Sequence, residues 1–165
     1  VKKTIIGIMG PGESATAKDL ENAFQLGQLI AKAGWVLLTG GRNSGVMDAA
    51  NKGAKSASGL TIGILPGNNT SDISEAVDIA IITDTGNARN NINVLSSDVI
   101  IACGMGTGTA SEIALALKAN KQVILLNASA ESKLFFKTLA ADRIFVVNNV
   151  GEAVDRARQI MGDRT

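Results

Sequence analysis

Seven short apolar runs punctuate this chain, and their texture limits the folds open to it. They span residues 4–9, 35–39, 60–65, 79–83, 98–102, 122–126 and 144–147. Most are rich in Ile and Val and nearly continuous rather than alternating. That is the pattern of strands covered on both faces, as in a parallel sheet. Trp35 opens the second run and reads as a core residue. Helical stripes lie between most of the runs. Leu20, Phe24, Gly27 and Ile30-Ala31 mark one, in a segment beginning near 14–18. Val46, Ala49-Ala50 and Gly53-Ala54 mark a second. Further helices are expected over 87–96, 107–119, 132–139 and 152–161. The alternation predicts an α/β fold, a doubly wound sandwich with a mostly parallel sheet of about seven strands. A length of 165 residues with 45% hydrophobic content suits a single domain over 1–165. The longest apparent break, 66–74, is too short to divide it.

The 18 glycines gather after the strands. Gly10-Pro11-Gly12 follows the first, Gly40-Gly41-Arg42-Asn43-Ser44-Gly45 the second, Pro66-Gly67 the third and Gly86 the fourth. Gly104-Met105-Gly106-Thr107-Gly108-Thr109-Ala110-Ser111-Glu112 follows the fifth and leads into a helix. In a parallel sheet these loops all emerge at the carboxyl edge, where ligands bind at the reversal of strand order. Glycine lets a ligand approach the backbone closely. A helix N-terminus offers it free N–H groups and the positive end of the helix dipole. Ser44-Gly45 and Thr107-Gly108-Thr109 run into such termini. Their hydroxyls suit both capping and anion binding, which use the same donors. The edge is expected to hold a phosphate-type anion.

Absences narrow the chemistry. There is no histidine and no tyrosine, and one cysteine, Cys103. Histidine triads, histidine metal sites and single-chain thiolate clusters are excluded, and no metal held directly by side chains is expected. Pro11 stands where a dinucleotide fingerprint needs a donor, and no Gly-Lys-Ser/Thr forms a P-loop. A net charge of +1 and five scattered aromatics give no reason to expect nucleic acid. No apolar run approaches the roughly 18 residues that span a bilayer, and no signal-peptide pattern is visible. A cytoplasmic location without a membrane partner is the expectation, in line with the lone cysteine.

Few charges lie near the glycine edge. Arg42 sits inside the second loop, Arg89 at the start of the short third helix, and Glu112 about one turn into the fourth. Either arginine could grip phosphate with its planar fork, or stand as a solvated charge. Arg89 and Glu112 could also pair. Asn87, Asn90, Asn91 and Asn93 make the third helix amide-rich, which suits a heterocycle with donors and acceptors or simple turn formation.

With these residues assembled, the chain resembles the Rossmann-type superfamily of lysine decarboxylase-like LOG proteins, which are cytokinin-activating phosphoribohydrolases. That family carries Pro-Gly-Gly-x-Gly-Thr-x-x-Glu after a strand. Here Gly104-Met105 replaces the opening Pro-Gly and the rest matches through Glu112. An Arg-Lys pair on the preceding helix is here Arg89-Asn90. The resemblance puts Arg89 and Glu112 at the positions of that family's catalytic pair.

A second resemblance is more specific and runs through most of the chain, roughly 4–126. Met9-Gly10-Pro11-Gly12, Trp35-Val36-Leu37-Leu38-Thr39-Gly40-Gly41-Arg42, Gly45-Val46-Met47, Ala88-Arg89-Asn90-Asn91-Ile92-Asn93 and Gly104-Met105-Gly106 are similar to the molybdenum cofactor carrier proteins of algae and cyanobacteria. It implies a homotetramer that binds molybdopterin cofactor and hands it to molybdenum enzymes or receives it from cofactor-synthesis proteins. It implies no catalytic residue. The cofactor's phosphate would lie on the glycine loops and its pterin against the amides. The implied site comprises Gly10, Pro11, Gly12, Gly40, Gly41, Arg42, Ser44, Gly45, Arg89, Asn90, Asn93, Gly104, Met105, Gly106, Thr107, Gly108, Thr109 and Glu112. Two rivals stay open at this point: hydrolysis of a nucleoside monophosphate by Arg89 and Glu112, and nucleotide sensing without turnover. Met105 and Asn90, in place of hydrolase residues, argue for binding alone.

Overall fold

One parallel sheet accounts for all seven apolar runs. The structure, a computed structural model, describes residues 1–162. Its strands are β1 (Ile5–Met9), β2 (Val36–Thr39), β3 (Thr61–Leu65), β4 (Ile79–Ile82), β5 (Val99–Cys103), β6 (Val123–Leu126) and β7 (Ile144–Val147). Its helices are α1 (Ala17–Lys32), α2 (Gly45–Ser56), α3 (Arg89–Ser96), α4 (Thr107–Lys118), α5 (Ala130–Ala140) and α6 (Val150–Gly162), with a 3₁₀ turn, Gly86–Ala88, before α3. The strand order is β4-β3-β2-β1-β5-β6-β7, every pair parallel.

The continuous apolar texture has a direct cause. Successive residues of one strand enter different cores. Ile6 and Ile8 of β1 pack with α1, α2 and α6, whereas Met9 packs with α3, α4 and α5. Ile100 and Ala102 of β5 face the second layer, and Val99, Ile101 and Cys103 the first. One expectation is corrected by the structure. The run 79–83 is not covered on both faces. It forms the edge strand β4, where Ile79, Ile81 and Ile82 are exposed. Trp35 packs against the first core while half-buried, with the Arg158 guanidinium 5.8 Å from its ring centroid.

α1 begins with a reciprocal cap. Thr16 Oγ1 accepts from the Asp19 N–H, and Asp19 Oδ2 accepts from the Thr16 N–H. The other carboxylate oxygen of Asp19 accepts from Asn127 Nδ2 at 2.7 Å. Asp19 thereby ties the start of α1 to the end of β6. α1 and α2 cross in near backbone contact. A Cβ on Gly27 would overlap the Ala50 carbonyl, and one on Gly53 would overlap the Phe24 carbonyl.

The strand order reverses between β1 and β5. β1 leads outward to β2 and α1, while β5 leads the other way to β6. The loops after these two strands therefore diverge and leave a crevice at the carboxyl edge.

Candidate functional site

A cavity of about 210 Å³ occupies that crevice. Four chain segments wall it. The end of β1 and its loop bring Ile8, Met9, Gly10, Pro11, Gly12 and Ser14. The β2–α2 connection brings Gly40, Arg42 and Met47. The 3₁₀ turn and α3 bring Asn87, Arg89 and Asn90. The β5–α4 connection brings Gly106, Thr107, Gly108, Thr109 and Glu112.

The start of α4 is the most ligand-ready of these walls. Gly106 is its N-cap, in extended backbone, with no side-chain cap. The first bond of the helix runs from the Ala110 N–H to the Gly106 carbonyl at 2.8 Å. The N–H groups of Thr107, Gly108 and Thr109 precede it and point beyond the helix. A Cβ on Gly108 would meet nothing within 4 Å, so this glycine borders open space. Thr109 is 2% exposed, and its Oγ1 is buried without a hydrogen-bond partner.

Arg89 faces this helix start from α3. It is 9% exposed. Nη1 donates to Asn90 Oδ1 at 2.7 Å, while Nε is buried with no partner. Gly40 makes room for it, since a Cβ there would stand 3.0 Å from Nη2. Burial pulls the Arg89 pKa below the usual guanidinium value; Glu112 opposes that shift, and Arg42 adds to it. An arginine stays charged under such a pull. Burying an unmatched donor costs free energy, which a hydrogen-bond acceptor reaching Nε would relieve.

Glu112 lies one turn further along α4. Burial pushes its carboxyl up to about 7, against the pull of the Asn93 hydrogen bond and of the Arg89 charge. Asn93 Nδ2 donates to Glu112 Oε1 at 2.9 Å. Among the described residues no ion pair joins Arg89 to Glu112; each is held by an asparagine of α3 instead. Arg42 is half-committed elsewhere. Its Nε donates to Asp72 Oδ2 at 2.7 Å, where the 66–74 loop folds back over the edge.

Six of the expected residues do not line the cavity, for distinct reasons. Gly41, Gly45 and Gly104 have φ of +79°, +53° and +78°, so the backbone path itself calls for glycine. Gly45 also seats α2 against the first loop, with the Val46 N–H donating to the Pro11 carbonyl at 3.0 Å. Ser44 is the N-cap of α2 but its side chain makes no capping bond. Asn93 supports Glu112 from behind. Met105 packs against the α3–α5 core, so the replaced glycine leaves the backbone approach open. Ile8, Met9, Ser14, Met47 and Asn87 line the cavity without having been picked out as site residues. Asn87 belongs to the amide-rich run that signalled recognition. The apolar members reach the site only through the topology.

The molecule is thus a Rossmann-like α/β protein whose switch-point cavity brings together a helix start, a buried arginine and unpartnered polar atoms. The chain belongs to the SLOG cluster4 family, whose model matches residues 3–154. It is 60% identical to the molybdenum cofactor binding protein from the phototrophic bacterium Rippkaea orientalis, with a TM-score of 0.96 over 98% of this chain and 99% of that one. The Moco carrier protein from Chlamydomonas reinhardtii is 52% identical, with a TM-score of 0.93 over 98% and 99%. A cytokinin riboside 5'-monophosphate phosphoribohydrolase of Mycobacterium tuberculosis is 34% identical over 59% of this chain, which spans 53% of that protein. Both resemblances drawn from the sequence hold.

Proposed function

We propose that this chain is a molybdenum cofactor carrier, binding the cofactor in the switch-point cavity without turning it over. The observation that carries the reading is the buried, unpartnered Nε of Arg89 beside the unpartnered Oγ1 of Thr109, at the open start of α4. Orphaned polar atoms of this kind fit the phosphate of the cofactor, which brings acceptor oxygens and charge together. Asn87 and Asn90 offer amides to the pterin edge. Gly10, Pro11 and Gly12 form the opposite wall. The metal would be held by the cofactor's own dithiolene, since the described residues contain no cluster of His, Cys, Asp or Glu fit to hold a metal ion. The similarity to carriers at 60% and 52% identity over nearly the whole chain supports this reading over the hydrolase.

The test is direct. Purified protein is mixed with molybdopterin cofactor, separated from free ligand and oxidised to the fluorescent pterin. About one pterin per chain is the expected result, and none overturns the reading.

The hydrolase reading keeps one specific support: Arg89 and Glu112 face one cavity, as the resemblance to phosphoribohydrolases implies. Asn90 in place of lysine removes a cation from it. Incubation with adenosine or cytidine monophosphate is expected to release no free base beyond a single turnover. Sustained release on the order of 1 per second would establish the enzyme instead.

The carrier is also proposed to be a closed homotetramer. No helix of the described residues is long and apolar enough to cross a membrane. Two apolar patches lie apart on the surface. One is the exposed edge strand β4 with Ile79, Ile81 and Ile82, at one end of the sheet; the other is Leu134, Phe135 and Leu139 of α5, which follows β6 toward the other end. A tetramer with two-fold axes uses two such self-complementary patches. Light scattering should give four times the mass of one chain, and a monomer at micromolar concentration would refute it. Molybdenum enzymes and cofactor-synthesis proteins are the proposed exchange partners, in the cytoplasm.

A further inference from the structure

Glu112 is an awkward neighbour for an anion. It lines the same cavity as Arg89 and the first turn of α4, and it is 7% exposed. The carboxyl cannot easily swing away, because Asn93, which holds it, is itself fully buried. The charges around it are few. From α3 it faces Arg89. From the β2–α2 loop Arg42 lines the same cavity, but its Nε is bound to Asp72. Neither the β1–α1 loop nor the rest of α4 brings another titratable group to the cavity. An ionised Glu112 and an incoming dianion would place three negative charges near one uncommitted arginine. Like charges in one site favour protonation of the weaker acid. A neutral carboxyl removes the conflict and gains an O–H donor for the ligand.

We infer that anion capture in this cavity is proton-coupled, with Glu112 taking up a proton as the anion enters and losing it as the anion leaves. The inference rests on reading the cavity as an anion site and adds the means of its regulation. Burial already brings the carboxyl up to about 7, so both of its states are within reach near neutral pH. A bound dianion raises it further. Linkage then sets the sign: affinity is highest below about pH 7 and falls as pH rises, by up to about tenfold per unit until the raised value in the complex is passed. Capture is favoured in mildly acidic surroundings, and release in alkaline ones.

Sulfate is the suitable probe, because it stays a dianion throughout the range. Its binding is followed by calorimetry between pH 6.5 and 8.5, in buffers of different ionisation enthalpy, for the wild type and Glu112→Gln. The wild type is expected to lose at least about fivefold in affinity across the range and to take up a fraction of a proton per sulfate near pH 8. E112Q should show a flat profile, no proton uptake, and tighter binding than wild type at pH 8.5. A flat wild-type profile, an unchanged slope in E112Q, or no sulfate binding by either protein would overturn the inference. Should E112Q not fold, proton uptake by the wild type decides alone. Sulfate binding that ignores pH, beside one pterin per chain, refutes the proton coupling and leaves the carrier reading intact. Proton-coupled sulfate binding without any pterin does the reverse.

Discussion

Replacing Arg89 with methionine should abolish tight cofactor binding and leave the fold as stable as before, or more so. Removing one member of a buried charge pair in an interface costs about 2–5 kcal/mol of binding, roughly 30-fold or more in affinity. The fold should respond differently. In the free protein the guanidinium is nine-tenths buried with an unpartnered Nε, and burial already works against its charge. Methionine fills a similar length of space with no polar atom to satisfy. Asn90 keeps a second bond, from Nδ2 to Ser111 Oγ at 3.0 Å. The result to look for is a melting temperature equal to or above that of the wild type, beside a loss of pterin capture in the same preparation. Unchanged capture would move the site off Arg89. A collapse in melting temperature would make the side chain structural.

Gly27→Val should have the opposite signature, a large loss of stability arising far from the cavity. The added Cβ meets the Ala50 carbonyl, which belongs to helix backbone and cannot rotate away. α1 and α2 must then separate, opening the layer that holds Ala23, Leu26, Ala50 and Ala54. Overpacking of this kind costs about 3 kcal/mol or more. For a domain of this size that is a fall of roughly 6–12 °C, read by calorimetry or circular dichroism. Gly108→Ala is the control, since a Cβ there meets nothing within 4 Å. It should melt as the wild type does. Equal melting of G27V and G108A would mean that the helix crossing is looser than described.

The strands were legible because burial on both faces writes itself into composition. A run such as Val99-Ile100-Ile101-Ala102-Cys103 needs no partner sequence to be recognised. β4 has the same letters and a different fate, since nothing in Ile79-Ala80-Ile81-Ile82 says that it stands at the edge of the sheet formed by the described residues. The site was legible as an edge, less so residue by residue. Gly104 and Gly108 are the same letter, yet the first satisfies a φ of +78° and the second borders open space. Backbone angle separates them, and a string of letters does not carry it. Arg42 could not be discounted in advance either, because Asp72 reaches it from across a folded-back loop. The unmatched Nε of Arg89 is a property of three dimensions alone.

Because β1 lies between β2 and β5, the first strand of the chain must wait for the fifth. Ile6 pairs with Val99 and Ile8 with Ile101, and the backbone N–H of Ile5 bonds to Asp98 across 93 residues. Until that pairing closes, the loops carrying Pro11 and Gly108 have no fixed relation, and the cavity between them does not exist. Closing so wide a loop is entropically costly and kinetically slow. A nascent chain therefore has no cavity until the segment through residue 112 has emerged and the sheet has zipped through its centre. From then on, any ligand that recognises only the closed form holds it closed by mass action. The concentration of whatever ligand fills the cavity would then bear on how long the folded chain persists, as well as on how much of it is loaded.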